Sequence, residues 1–180
     1  RFDVVALQEV GGDLAALRTL MKTLGPNWRF LMTDVTRGSR GGGERMAFVF
    51  DSARTELSGL AGELVVPSEW LSVISPDALN RQFARTPYVV SFQCGSTTMI
   101  LVTLHVLYGS SAAEREPELH GIAQWMANWA RQVNRWHHNL VVLGDFNIDR
   151  RQDALWQAFT ATGLTVPPEL NQVRRSIFAD

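Results

Sequence analysis

Residues 140–149, LVVLGDFNID, begin with an unbroken apolar run and turn polar within three positions, at Asp145 and Asn147. A strand that is apolar at every position, rather than at every second one, must be covered on both faces. DVVALQEV (3–10) and TTMILVTLHV (97–106) repeat the pattern and also carry a polar group near the exit, Glu9 in one and His105 in the other. Such strands fit a layered fold in which helices or a second sheet supply the cover. The helical patterns are present. In GGDLAALRTLMKTLG, Leu14, Leu17, Leu20, Met21 and Leu24 share a face, with Asp13 as expected N-cap and Gly25 as stop. A longer helix is expected from Ser111 to Trp136, with Leu119, Ile122, Met126, Trp129 and Val133 on one stripe and Pro117 acceptable only near its first turn. A third is expected from Gln152 to Thr162, closed by Gly163. Further strands are expected at WRFLMT (28–33), RMAFVF (45–50), ELVVP (63–67), YVVSFQC (88–94) and SIF (176–178), with QCGST (93–97) as a hairpin connection.

The chain has 180 residues, 46 % of them hydrophobic, the size of one domain with a sizeable core. Its 17 Lys and Arg against 18 Asp and Glu leave no general basic field to hold a polyanion, so any such ligand must be gripped locally. One cysteine, Cys94, excludes an intramolecular disulfide and a multi-cysteine zinc site. No apolar run reaches the roughly 18 residues that span a bilayer.

In layered α/β folds, functional groups sit where strands leave the core, because there a rigid element aims a side chain at solvent. Period two points Asp145 and Asn147 to one side and turns Phe146 into the core. A carboxylate beside an amide can hold a hard cation or orient water and a phosphate oxygen. Each residue alone reads more simply as a cap, a turn former or a solvated end. Glu9, His105 and the Asp145/Asn147 pair together, at three strand exits, form a constellation. Arg37 and Arg40 read as a solvated glycine-rich loop, His137 and His138 as a helix end, and Trp125 and Trp129 as helix packing.

VVALQEV, ERMAFVFD, FARTPYVVSF, LVTLHV and VVLGDFN, in this order, resemble the endonuclease/exonuclease/phosphatase superfamily, and within it the deoxyribonuclease I-like branch. The resemblance implies an α/β four-layer sandwich, two mainly antiparallel sheets flanked by helices, and divalent-metal-dependent hydrolysis of phosphate esters. By resemblance, Glu9 is the metal-binding glutamate, for Mg2+ or Mn2+. His105 is the catalytic histidine and Glu44 the acid that pairs with it. Arg85 binds phosphate. Asp145 and Asn147 orient the attacking water and hold the scissile phosphate, Asn147 serving in both catalysis and phosphate binding.

The resemblance also sets bounds. Residues 1–180 are expected to be one domain lacking the family's N-terminal asparagine-bearing strand and its C-terminal aspartate-histidine motif, since no histidine follows Asp180. Gly11 and Gly42 stand where the nuclease branch often carries an arginine and a tyrosine for the DNA minor groove. The expected activity is that of a nuclease on nucleic acid, DNA more than RNA. The alternatives are a phosphodiesterase or phosphatase on a lipid or small molecule, and a catalytically inactive scaffold of the same fold.

Overall fold

A computed structural model describes residues 2–35, 42–65, 83–132 and 139–173. In chain order the elements are β1 (Val4–Val10), α1 (Ala15–Leu24), β2 (Trp28–Met32), β3 (Arg45–Asp51), β4 (Glu56–Glu63), β5 (Tyr88–Cys94), β6 (Thr97–His105), α2 (Ala112–Arg131), β7 (Leu140–Asp145) and α3 (Ala154–Thr160), with a 3-10 turn at Pro168–Gln172. One sheet has the order β1-β3-β2, the other β4-β5-β6-β7. All pairings are antiparallel except β6 with β7. No helix among the described residues is long and apolar enough to cross a membrane.

Four layers result, as expected, and alternation along the strands builds them. From β3, Met46, Phe48 and Phe50 point at Tyr88, Val90 and Phe92 of β5 and Leu101 of β6, forming the core between the sheets. The opposite faces of these strands are covered too. Ala47 and Val49 pack under α1 through Leu17, and Val89, Ile100, Val102 and Leu104 pack under α2 and α3 through Leu119, Ile122, Met126 and Phe159. This double cover is why β3, β5 and β6 are apolar nearly throughout. Trp125 and Trp129 meet edge to face, 4.8 Å between centroids, against the same helix-side core, as expected.

Several boundaries differ from the sequence-based expectation. In place of a strand at 63–67, β4 occupies Glu56–Glu63 and pairs with β5 across a register shift between Leu57 and Ala61. Its glycines and small residues give it little strand signal. Helix α1 starts at Ala15, after Leu14 in the left-handed region (φ 57); Asp13 accepts from the Ala15 N–H at 3.1 Å rather than occupying the cap. Helix α2 passes through Pro117 in its second turn and ends at Arg131. Helix α3 spans only Ala154–Thr160, capped by Asp153, whose side chain accepts from the Trp156 N–H at 2.8 Å. The expected hairpin is present, with Gly95 at φ 59. Arg37, Arg40, His137, His138, the SIF strand and Asp180 lie outside the described residues.

Gly144 fixes the spacing of β6 and β7 at their polar end. It adopts φ 139, and a Cβ there would fall 2.1 Å from the Leu104 carbonyl oxygen. Neither the torsion nor the contact admits a side chain without moving a strand. Gly144→Ala should destabilise the protein by about 2 kcal/mol or more, read as a lower urea midpoint at unchanged m-value; a wild-type midpoint would show that the two strands are not held this closely.

Candidate active site

The polar strand ends collect at the edge of the sandwich where β1, β6 and β7 finish and β3 and β5 begin. Alternation assigns the faces. His105 has the parity of Leu101 and Thr103, and Asp145 that of Leu143, so both leave their strands on the side facing the other sheet. The parallel register sets His105 opposite Asp145. The Val106 N–H donates to the Asp145 carbonyl at 2.9 Å.

Glu44, immediately before β3, joins two of these groups. Its Oε2 accepts from Arg85 Nε at 2.7 Å and lies 3.1 Å from His105 Nδ1, while Oε1 accepts from Arg85 Nη2 at 3.2 Å. The His105 side chain is 7 % exposed and that of Arg85 12 %. A half-buried carboxylate such as Glu44 is tolerated when a guanidinium fork matches it in this way. Gly42, at φ 67, makes room for it, since a Cβ there would fall 2.6 Å from Glu44 Oε1. Arg85 thus directs two of its three nitrogens at Glu44, and its Nη1 is buried without a hydrogen-bond partner. As placed, the arginine holds Glu44 and does not offer an open fork to a phosphate.

Glu9 is presented differently. The β1–β3 register slips between Leu7 and Val10, and Glu9 within the slip adopts φ 57. A bulge re-aims a side chain, and the left-handed backbone costs a residue with a Cβ on the order of 1 kcal/mol. The Glu9 side chain is 68 % exposed, with Oε1 3.8 Å from His105 Nε2. Asp145 is also exposed; its Oδ1 accepts from the Asn147 N–H at 3.0 Å. Asn147, at φ 48, donates from Nδ2 to the Val106 carbonyl at 2.7 Å. Phe146 between them packs on Phe159, 4.7 Å between centroids, the inward turn expected from the sequence.

Among the described residues, no group of three or more His, Cys, Asp or Glu side chains could enclose a metal ion. The donor set fits another kind of site. Magnesium takes one or two carboxylates and completes its shell with water and substrate oxygens, and the exposed Glu9 carboxylate suits such an ion.

Four residues around the site were not singled out from the sequence. Gln8 Nε2 donates to Thr103 Oγ1 at 2.7 Å, linking the two sheets just inside the polar edge. Buried Arg115 donates from Nη2 to Asp149 Oδ2 at 2.6 Å and from Nη1 to the Tyr108 carbonyl at 3.2 Å, tying the loop after β6 to the loop after β7. Glu118 Oε1 accepts from the Ala84 N–H at 3.1 Å and Oε2 from the Leu107 N–H at 3.0 Å. A sequence signal existed for two of them. Arg115 continues the apolar stripe of Leu119, Ile122 and Met126, with Glu118 beside it, and a charge there needs a partner.

Burial pushes the Glu118 carboxyl above the ordinary carboxylate range, against the opposing pull of its two backbone donors and Arg85. The folded state therefore binds this proton more tightly than the unfolded chain does. Stability from Glu118 is fully present below the unfolded value and is lost as pH rises through the raised one. The unfolding free energy of wild type relative to Glu118→Gln should fall as pH rises from about 4.5, the ordinary value, in urea titrations at several pH values; a difference that rises with pH would mean that the backbone donors outweigh burial.

No family model matches the chain. A curated relative, named deoxyribonuclease, from Thioalkalivibrio sp. (strain K90mix), is 25 % identical over 166 residues, covering 89 % of this chain and 42 % of its own length. The chain thus spans less than half of that relative. Among solved structures, the human Nocturnin catalytic domain with bound sulfate superposes with a TM-score of 0.63 at 14 % identity, over 89 % of this chain and 57 % of its own. An endonuclease/exonuclease/phosphatase family protein from Bacteroides thetaiotaomicron gives 0.62 at 19 % identity, over 90 % and 55 %. The chain has the deoxyribonuclease I-like fold that these structures share, two mainly antiparallel sheets flanked by helices.

Proposed function

We propose that the protein hydrolyses phosphodiester bonds in a divalent-metal-dependent reaction, acting as an endonuclease on nucleic acid, DNA before RNA. The observation that carries this reading is the held imidazole. With Nδ1 donating to Glu44, His105 is fixed in the tautomer whose Nε2 lone pair points toward the solvent side, near Glu9. A carboxylate behind the ring orients it, which suits proton transfer at a phosphate oxygen or a water. Arg85 keeps Glu44 in place and adds positive charge behind the ring. Asp145, with one oxygen on the Asn147 N–H, would orient the attacking water, and Asn147, whose Nδ2 also donates to the Val106 carbonyl, would meet a phosphate oxygen with its remaining N–H. Glu9 would hold Mg2+ or Mn2+, and such an ion, when bound, supplies Lewis acidity toward the phosphate. The deoxyribonuclease named among the relatives agrees with this substrate class.

A second reading, a smaller phosphoester, is favoured by one observation. A side chain at position 42 would collide with Glu44 as it stands, so the loop cannot present the groove-reading tyrosine of the duplex-cutting members. A substrate without a duplex groove, a small phosphoester or a single strand, is accordingly favoured.

The intact protein should nick supercoiled plasmid or cut single-stranded DNA with Mg2+ or Mn2+ and not with EDTA. Asp145→Ala and His105→Ala should each lower kcat by about 100-fold to 10,000-fold. No cutting by folded protein that binds metal would sink the nuclease reading in favour of small phosphoesters, and absence of metal binding would point to an inactive scaffold.

A further inference from the structure

The mechanism above leaves one half-buried acid beside the site without a task. Glu118, on the second turn of α2, reaches out of its helix to the backbone of two loops. Ala84 immediately precedes Arg85, and Leu107 follows His105 by two residues. Both lie outside the strands, where no ladder partner takes up their N–H groups. The bonds form a closed ring: Glu118 to Ala84, along the chain to Arg85, across to Glu44 and His105, along the chain to Leu107, and back to Glu118. A small cavity inside it is lined by Phe83, Arg85, Leu104, His105, Glu118 and Ile122.

We infer that Glu118 is a positioning residue, which holds the Arg85–Glu44–His105 assembly in place from helix α2. The residue type supports this. Each of the two N–H groups needs an acceptor, and a carboxylate offers one on both oxygens, whereas glutamine offers one oxygen and turns a donor toward the other N–H. Burying a carboxylate costs native-state stability that an amide or an apolar residue would not cost. Burial here raises the carboxyl pKa, the sign of that cost. Without Glu118, the loop bearing Arg85 loses its tie to the strand exit bearing His105, and displacement by about 1 Å lowers rates on the order of 100-fold.

The inference rests on the reading of His105 as the acid-base group, so its test has one readout that does not depend on activity. Wild type, Glu118→Gln and Glu118→Ala of the intact protein are compared by the 15N shifts of the His105 ring, by kcat and KM on single-stranded DNA, and by urea unfolding. The expected result is one His105 tautomer in wild type and a mixture in the variants. With it, kcat should fall about tenfold in the glutamine variant and about 100-fold in the alanine variant, at unchanged KM. A merely structural role would lower the urea midpoint while leaving the kcat of folded protein and the tautomer as in wild type, and that result overturns the inference. Should the alanine variant not fold, the glutamine variant carries the test. Should wild type cut no DNA, the nuclease reading fails and the ring shifts alone decide: a tautomer dispersed by Glu118→Gln supports the clamp, and an unchanged one refutes it.

Discussion

The face-to-face packing of the two sheets is the constraint on which the site depends, because it decides how dry each position along a strand is. Deep in the gap, Phe48, Phe50 and Phe92 meet edge to face at 5.5 Å with no polar atom among them. Along the same face of β6 the residues then run Met99, Leu101, Thr103, His105, and on β1 Val4, Ala6, Gln8 and the bulged Glu9. Polarity rises in step on the two facing strands. Gln8 and Thr103 satisfy each other at the transition, and beyond them the gap opens to charge. Charges there are partly shielded from water, so ion pairs and hydrogen bonds between them act more strongly than on an open surface.

Departures from ideal backbone and core gather at that same edge. Glu9 and Asn147 are left-handed, Gly144 is at φ 139, and Glu118 is a half-buried acid whose carboxyl is raised in pKa by burial. A left-handed residue is not by itself informative, since Leu14, Asn139 and Gln152 share that torsion at element boundaries away from the site. What distinguishes the edge is that each departure moves or fixes a functional side chain. The bulge aims Glu9 at His105, Gly144 lets Asp145 approach the end of β6, and Asn147 turns back to the Val106 carbonyl. Strain retained where it orients groups, and relaxed elsewhere, is the pattern that functional sites follow.

The sequence made the buried strands legible because burial on both faces leaves an uninterrupted apolar run. The same contrast exposed the site, for a charge that ends such a run stands out against it. Glu9, His105 and Asp145 were visible for that reason, and Glu44 and Arg85 only through resemblance. β4 was misplaced because an edge strand of small residues and glycines has neither the run nor the alternation. Of the pairings across the chain, that of Glu44 with His105 came through resemblance alone, and that of Glu44 with Arg85 stayed out of reach. Glu44 and Arg85 are 41 residues apart, and nothing local says that one closes on the other. Glu118 was legible only in part: its place beside the apolar stripe of α2 signals that it needs a partner, but the positions of Ala84 and Leu107, which supply the partners, come only from the fold.

The acids of the site fall into two kinds, and the division limits what each can do. Glu44 and Glu118 are held: Glu44 has two donors from Arg85 and contacts the ring of His105, and Glu118 has two backbone donors. An oxygen so engaged has little capacity left for a metal ion or a water, and releasing it would leave buried donors unsatisfied. Glu9 and Asp145 are presented, exposed at strand ends. Asp145 gives one oxygen to the Asn147 backbone, and Glu9 faces the ring only at 3.8 Å. On the function proposed above, chemistry at this edge would fall to Glu9, Asp145, Asn147 and the outward nitrogen of His105, with the held acids acting on substrate only through the groups they fix. A phosphate held between the two presented carboxylates would meet net negative charge, since the charge of Arg85 is already matched by Glu44. On the function proposed above, that imbalance is the physical argument, independent of resemblance, for a cation beside the substrate.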